Sequence, residues 1–411
     1  MKLRVYLNMY GKRYFVGLLE DTTDRRIFFE YAPEFIKTGI ELSPFKLPLK
    51  SGVFEDEKRT FEGLFGLFND SLPDGWGLLL LDRKLQKTGM SVESITPLQR
   101  LSAVGKHGMG ALEYEPETEE PLNKADGLVL DMLAKEAEEI RLGYDSAALD
   151  KLLALNGSSG GARPKMLALV SDDKKTIIPD GEERQGFSPW LIKFTTSAEP
   201  SDFGKIEYDC SVKAKEYGIN MPETFLFPSE VCGGHFGVRR FDRCAKGKVH
   251  THTACGLLHA SHRMSTIDYD GLLRLTQVLT RDVREVEKMF RLMTFNVRIG
   301  NKDDHSKNFS FVMNENGEWK LSPAYDLTPS EGINGEHTAL VNGKGANITD
   351  DDFKAVAERF GIKGGIILKR EGRLFFKASL HNLVKSQSFQ QLDSTENDAP
   401  FTKTTIFPRS R

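Results

Sequence analysis

The sequence predicts an α+β chain: a small β-rich N-terminal domain, then two lobes, the first rich in strands and the second mostly α-helical. Three observations predict it. Apolar and polar residues alternate through the opening "MKLRVYLNMYGKRYFVG", strand-like apolar runs dominate between about residues 165 and 243, and apolar residues fall at helical spacing after 265. A strand-rich half followed by a helix-rich half places a cleft between them. At 411 residues the chain exceeds one compact core and divides into two or three domains.

From Met1 to about Leu122 the chain reads as short strands and turns with one helical insert, "PDGWGLLLLDRKLQ". There Pro73-Asp74-Gly75 marks a turn and the leucine run suits a helix. The acidic, proline-containing "YEPETEEPLNKADG" is a connector, which sets a boundary near residues 120–130. Helical patterns follow in "LVLDMLAKEAEEIRLG" and "SAALDKLLAL", leading into the glycine-rich "NGSSGGARPK" and the apolar "MLALV". Strands are expected at "KMLALV", "PWLIKF", "TFLFPS" and "HFGVRRF", with one helix, "IEYDCSVKAKEYG", stopped by Gly218. The segments "DYDGLLRLTQVL" and "VREVEKMFRLMTFNVRIG" carry the helical lobe. The expected units are 1–122, 123–243 and 244–385, then a polar, aperiodic tail over 386–411, disordered or loosely attached.

Composition is that of a globular protein, with 39% hydrophobic and 28% charged residues and a net charge of −3. No apolar run approaches the roughly 18 residues of a membrane span. The near balance of charge gives no support for broad nucleic-acid binding. The opening stretch has no continuous apolar segment of the kind that directs secretion, so a cytoplasmic location is expected. Cys210, Cys232, Cys244 and Cys255 form no CxxC pair and read as reduced thiols.

The chemistry concentrates in "IGNKDDHSKNFSF", Ile299 to Phe311, where carboxylates, a histidine, a lysine and an asparagine crowd one turn. Phosphoryl transfer to a hydroxyl needs a carboxylate to orient the nucleophile, oxygen ligands for magnesium and a lysine on the nucleotide phosphates. Asp303 and Asn308 are separated by four residues, an interval at which one turn delivers both to the same cleft. Downstream, "FSFVMNENGEWKLSPAYDL" reads as a β-hairpin around Asn316-Gly317 that returns Asp326 beside the loop, where it could ligate Mg²⁺. Asp and Asn also simply make turns, and spacing alone does not choose.

Lys193 is a lone charge in the apolar strand "PWLIKFTT", and the next helix offers Glu207 as its partner, the pairing that holds nucleotide phosphates in kinases. A lysine on the solvent side of an edge strand is the competing reading. The segment "GSSGGARPK" is neither GxGxxG nor GxxxxGK[ST]; it is either a flexible loop or one whose N–H groups approach phosphate. His250, His252, His259 and His262 could be arranged around zinc, yet no HExxH appears and no cysteine lies at finger spacing, so hydrogen-bonding or surface histidines are expected.

Together these residues resemble the HipA family of bacterial toxin serine/threonine kinases, in order and over some 300 residues. "SSGGARPK" is similar to that family's phosphate-covering loop, "LIKF" to its ATP-lysine strand, "VRRFDR" to its interlobe segment, "DDHSKNFSF" to its catalytic loop and "SPAYDL" to its magnesium-binding segment. "GLFNDSLPDGWG" resembles its small β-rich N-terminal domain. The resemblance implies a two-lobed protein-kinase-like fold with ATP and Mg²⁺ as cofactors. Asp303 would be the catalytic base, Asn308 and Asp326 the metal ligands, and Lys193 the contact to the α- and β-phosphates, with His305 and Lys307 lining the catalytic loop. Gly160, Gly161, Ala162 and Lys165 would cover the phosphates. The backbones of Arg239 and Phe241 would meet adenine, and Asp242 would approach the ribose. Self-phosphorylation in the family falls on a serine seven residues before the loop lysine, which is Ser158 here, with Ser159 beside it. Arg163-Pro164 departs from the family's frequent Gln-Glu, Arg239 replaces a frequent Glu, and Glu207 fits its position only approximately.

By the same resemblance the partners are a HipB-like helix-turn-helix antitoxin and a protein substrate, foremost an aminoacyl-tRNA synthetase, with DNA reached only through the antitoxin and no membrane. The alternatives are a catalytically dead scaffold acting as corepressor beside the antitoxin, and a metal-dependent hydrolase built on the histidines. Keeping Lys193, Asp303, Asn308 and Asp326 together argues against the scaffold, which has no physical need of all four.

Overall fold

The computed structural model describes residues 1–87, 89, 91–117, 127–144, 147–181, 184–260 and 267–362. The tail expected over 386–411, the last part of the expected 244–385 unit and His262 lie outside the described residues.

The chain opens with a five-stranded antiparallel sheet of β1 (Lys2–Met9), β2 (Lys12–Asp21), β3 (Ile27–Tyr31), β4 (Val53–Glu55) and β5 (Leu112–Glu115), in the order β4-β3-β2-β1-β5. The alternation that predicts β1 becomes its burial: Leu3, Val5, Leu7 and Met9 face the core while Lys2 and Arg4 are exposed. The helix over Gly75–Lys87 forms where the leucine run predicts it. A further two-turn helix, Pro97–Val104, and the single turns Pro33–Ile36 and Gly66–Asn69 depart from the reading of strands with a single helical insert. The signal for Pro97–Val104 was local: Thr96 and Gln99 form a reciprocal capping box and Pro97 occupies the first turn.

A second antiparallel sheet holds β6 (Lys165–Ser171), β7 (Ile177–Pro179), β8 (Phe187–Lys193), β9 (Thr224–Phe227) and β10 (His235–Arg239), in the order β7-β6-β8-β10-β9. Trp190 and Ile192 of β8 are buried with Met166 and Ala168 against the helices Leu130–Arg141, Leu149–Asn156 and Gly75–Lys87. The period of two then puts Leu191 and Lys193 on the other face, toward the cleft. This is why an apolar strand tolerates a lysine. The helix Phe203–Glu216 crosses that face and stops at Gly218, which lies in the left-handed region.

The helical lobe is led by Tyr269–Thr280, capped by the Asp268 side chain, and by Val283–Ile299, capped by that of Asp282. Val286, Met289, Phe290 and Met293 recur at helical spacing on the buried face of the second. A hairpin of Ser310–Met313 and Trp319–Leu321, with Phe311 opposite Leu321, follows the predicted turn at Asn316-Gly317, and Thr251–Thr253 pairs on its other side.

One apolar core runs from the first sheet into this helical lobe and contains Leu3 and Val5 together with Leu272 and Phe290. The histidines stitch that junction. His252 holds Asp70 at 2.6 Å through Nδ1 and Ser43 at 3.0 Å through Nε2, and the Gly66 N–H donates to His259 Nε2 at 2.9 Å. Burial holds His250 down at about 3 and His259 at about 4, so both rings are neutral around pH 7. Among the described residues no group of three or more His, Cys, Asp or Glu could hold a metal ion, and no helix is long and apolar enough to cross a membrane.

Candidate active site

A cleft of about 690 Å³ separates the second sheet from the helical lobe. Its roof is the sheet face bearing Lys165, Lys193, Phe236 and Val238, and its floor is the loop after the Val283–Ile299 helix. Gly300, at φ 73°, ends that helix in the left-handed conformation, and Asn301 donates to Asn296 Oδ1 at 3.1 Å and to the Asp326 carbonyl at 3.0 Å.

The two neighbouring aspartates then part. Asp304 is fully buried and accepts from Tyr269 Oη at 2.8 Å, His337 Nδ1 at 2.9 Å and the Ala339 N–H at 3.1 Å. Asp303 is held by its backbone, whose N–H donates to Ser330 Oγ at 2.8 Å, while its side chain keeps 66% of its surface exposed in the cleft. Partial desolvation pushes the Asp303 carboxyl upward, helped by Asp326 and Asp304 and opposed by His305. Asn308 Nδ2 donates to the Asp303 carbonyl at 2.7 Å, so the predicted spacing does bring these residues to one turn.

The hairpin returns Asp326 to the same cleft, at φ 52°. Tyr325 Oη donates to the Lys307 carbonyl at 2.7 Å, and its ring stacks on Phe241 at 5.8 Å, joining the hairpin, the Asp303–Asn308 loop and the segment after β10. Lys193 Nζ pairs with Glu207 Oε1 at 2.5 Å and also with the Asp326 carboxylate. Burial alone would raise Asp326, but Lys193 and Lys165 outweigh it and hold the carboxyl at about 2. Glu207, on the Phe203–Glu216 helix, gives its second oxygen to Arg163 at 2.5 Å. Arg163, the departure noted in the glycine-rich segment, thus ties that loop to the carboxylate that orients Lys193.

Lys165 lies opposite Lys193 across β6 and β8, and its ammonium donates to the Gly160 carbonyl. Burial, and then Lys193, bring it down to about 8. Ser158 is buried and its Oγ accepts the Met109 N–H at 2.8 Å, while Ser159 donates to Asn156 Oδ1 at 2.9 Å.

In the interlobe segment Arg239 and Phe241 line the cleft, with the Arg239 N–H committed to the Glu223 carbonyl at 2.8 Å. Asp242 is differently engaged from the role implied for it. Its carboxylate, 1% exposed, receives Arg240 at 2.9 and 2.8 Å, Arg243 at 2.7 Å and the Gly110 N–H at 2.8 Å. Burial would raise it, and the two guanidiniums hold it well below the carboxylate range instead. Sequence reasoning missed Asp74 altogether: it reaches this site from the N-terminal domain, pairing with Lys307 Nζ at 2.5 Å and accepting the Gly161 N–H. Only the turn signal Pro73-Asp74-Gly75 marked it, and a turn signal names no partner.

A model described as the HipA N-terminal domain matches residues 7–115, and one described as the HipA-like C-terminal domain matches residues 157–383. "Putative kinase Y4dM" of Sinorhizobium fredii is 27% identical over 233 residues, covering 52% of this chain and 56% of that protein. "Putative kinase Y4mE" of the same organism is 25% identical over 264 residues, covering 60% of each. The chain therefore spans little more than half the length of these relatives. Among solved structures, HipA in a Shewanella oneidensis toxin–antitoxin complex of HipA, HipB and operator DNA superposes with a TM-score of 0.65 at 16% identity, covering 94% of this chain and 95% of that one. That likeness is one of fold, and it fits the α+β, two-lobed, kinase-like architecture expected. With both domain models matched, in order and over most of its length, the chain belongs to the HipA family.

Proposed function

We propose that the chain is an ATP- and Mg²⁺-dependent serine/threonine protein kinase and the toxin of a toxin–antitoxin pair. One observation carries the reading: Lys193 is clamped between Glu207 and Asp326 in the same cleft that receives Asp303 and Asn308. In a kinase a lysine–glutamate pair, a metal-binding aspartate, a base aspartate and an asparagine gather in this way around one nucleotide.

The donor set fits magnesium. Asp326 stays ionised at any physiological pH, and Asn308, donating through Nδ2, keeps its amide oxygen for another partner; both are hard oxygen ligands. A bound Mg²⁺ supplies neutralisation of the phosphate charge that develops during transfer. The chain's residues do the rest. Asp303 accepts the hydrogen bond of the substrate hydroxyl and orients it, and a carboxyl raised from its ordinary value is a better proton acceptor for that task. Lys193, kept in place by Glu207, exchanges Asp326 for the α- and β-phosphates. Phe241 and the Arg239 backbone border the adenine end.

The partners follow from the family: a HipB-like antitoxin, through which DNA is reached, and an aminoacyl-tRNA synthetase or another translation protein as substrate, in the cytoplasm. Phosphorylation of Ser158 would add about −2 charge inside the loop and silence the enzyme. Because that hydroxyl is buried on Met109, the loop must first leave the N-terminal domain.

The test is transfer of the γ-phosphate of ATP to a panel of translation proteins by the parent and by Asp303→Gln, with folding followed by circular dichroism. Transfer lost in a folded variant supports the kinase. A parent that binds ATP without transferring phosphate, or a variant as active as the parent, overturns it.

A further inference from the structure

The N-terminal domain enters the cleft at one point. The turn Leu72–Trp76 docks on the glycine-rich loop: the Trp76 N–H donates to the Gly161 carbonyl at 3.0 Å, and a Cβ on Gly75 would lie 2.6 Å from Ala162 Cα. Gly75 also sits at φ 45°, so only glycine fits here without displacing the loop. This close approach delivers Asp74. Its carboxylate accepts the Gly161 N–H through one oxygen and Lys307 Nζ, at 2.5 Å, through the other.

Both donors are anion receivers by chemistry. One is a backbone N–H of a glycine-rich loop and the other a lysine of the catalytic loop, and they converge from opposite walls of the cleft. Two such donors closing on one point make a phosphate subsite, and here a carboxylate of the same chain already fills it. We infer that Asp74 is a built-in competitor for the terminal phosphates of the nucleotide: the N-terminal domain holds the cleft in a low-affinity state until Asp74 gives up Lys307 and Gly161. The inference rests on the nucleotide reading above and adds a regulatory residue outside the kinase lobes. The Asp74 carboxyl agrees, since burial alone would push its pKa up and Lys307 reverses the sign and holds it below the ordinary carboxylate value. At neutral pH the competitor is therefore charged.

The contact has a second consequence for the loop. Asp74 and Trp76 hold Gly161, and Met109 holds Ser158, so the N-terminal domain grips the glycine-rich segment at two points. Yielding of Asp74 to phosphate loosens the Gly161 point first.

The test is calorimetric titration of the full chain and of Asp74→Asn with Mg·ATP and, separately, with adenosine. Asparagine keeps the size and an acceptor oxygen but removes the charge. The expected result is ATP affinity raised about tenfold in the variant, as when a competing closed state is removed, with adenosine affinity unchanged. ATP affinity equal to or weaker than the parent's overturns the inference, and so does a parallel loss for ATP and adenosine, which marks a purely structural ion pair. A parent that binds neither ligand removes the nucleotide reading and this inference with it. Hydrogen exchange on the parent gives an answer that needs no variant: Mg·ATP should speed exchange of the Trp76 amide, and slower exchange there contradicts the displacement.

Discussion

The glycine-rich loop and the Asp303–Asn308 loop, the candidate catalytic loop, face each other across one cleft, yet they are held in different ways. Apart from Lys307 on Asp74, the Asp303–Asn308 loop is anchored by its own lobe: Asp304 gathers Tyr269, His337 and the Ala339 N–H inside the core, and Ser330 takes the Lys302 and Asp303 amides. The glycine-rich loop is anchored mainly by another domain, through Asp74, Trp76 and Met109, and by Arg163 on Glu207. A loop pinned by buried groups of its own lobe is preorganised, and a loop pinned by a docked domain is releasable. On the proposed reading the difference separates chemistry from control: Asp303 and Asn308 are held in place by their own lobe, while access to the phosphate end is set elsewhere.

The largest effect should come from breaking the rigid side. Asp304→Ala strands three buried hydrogen-bonding groups and should cost about 3 kcal/mol, read as a lower denaturant midpoint, with transfer lost. Its neighbour sharpens the contrast: Asp303→Asn should leave that midpoint unchanged and lower transfer by roughly 10²–10⁴-fold. If both variants unfold alike, the division of labour between the two aspartates is wrong.

On the releasable side, Glu207→Gln weakens the hold on Lys193 and Arg163 together and should raise the KM for ATP roughly tenfold, the worth of one charge-assisted hydrogen bond, with a smaller change in kcat. The smallest effect is on pH. Lys165 loses its proton near pH 8 in the free protein, and a bound phosphate favours the protonated form, so ATP affinity should fall as pH rises through about 8. Lys165→Arg should remove that dependence, and an unchanged profile in the variant would assign it to another group.

Much of the rigid side was legible in the sequence. The interval between Asp303 and Asn308 is a local property of one turn, and the Asn316-Gly317 hairpin fixes where Asp326 returns, so both survive into the structure. A lone charge in an apolar strand and the next helix pointed to Lys193 and Glu207 but left a solvent-side lysine open, and the period of two shows which face the lysine takes. The releasable side was not legible. Asp74 lies 233 residues before Lys307, and only domain docking brings them together. Hydrophobic periodicity reports which face of an element is buried, not what is pressed against it. The same limit explains Asp242, whose neighbours Arg240 and Arg243 read as part of an interlobe segment and prove to enclose its carboxylate. It also explains His250 and His252, which pack at the junction between domains.

In the proposed reaction Lys193 and Asp326 exchange each other for nucleotide and metal. The direct measurement is ATP affinity with and without Mg²⁺, for the parent and for Asp326→Asn. Magnesium should strengthen ATP binding to the parent and leave the variant unaffected. Equal affinities with and without magnesium in the parent, or an undiminished magnesium effect in the variant, would contradict it.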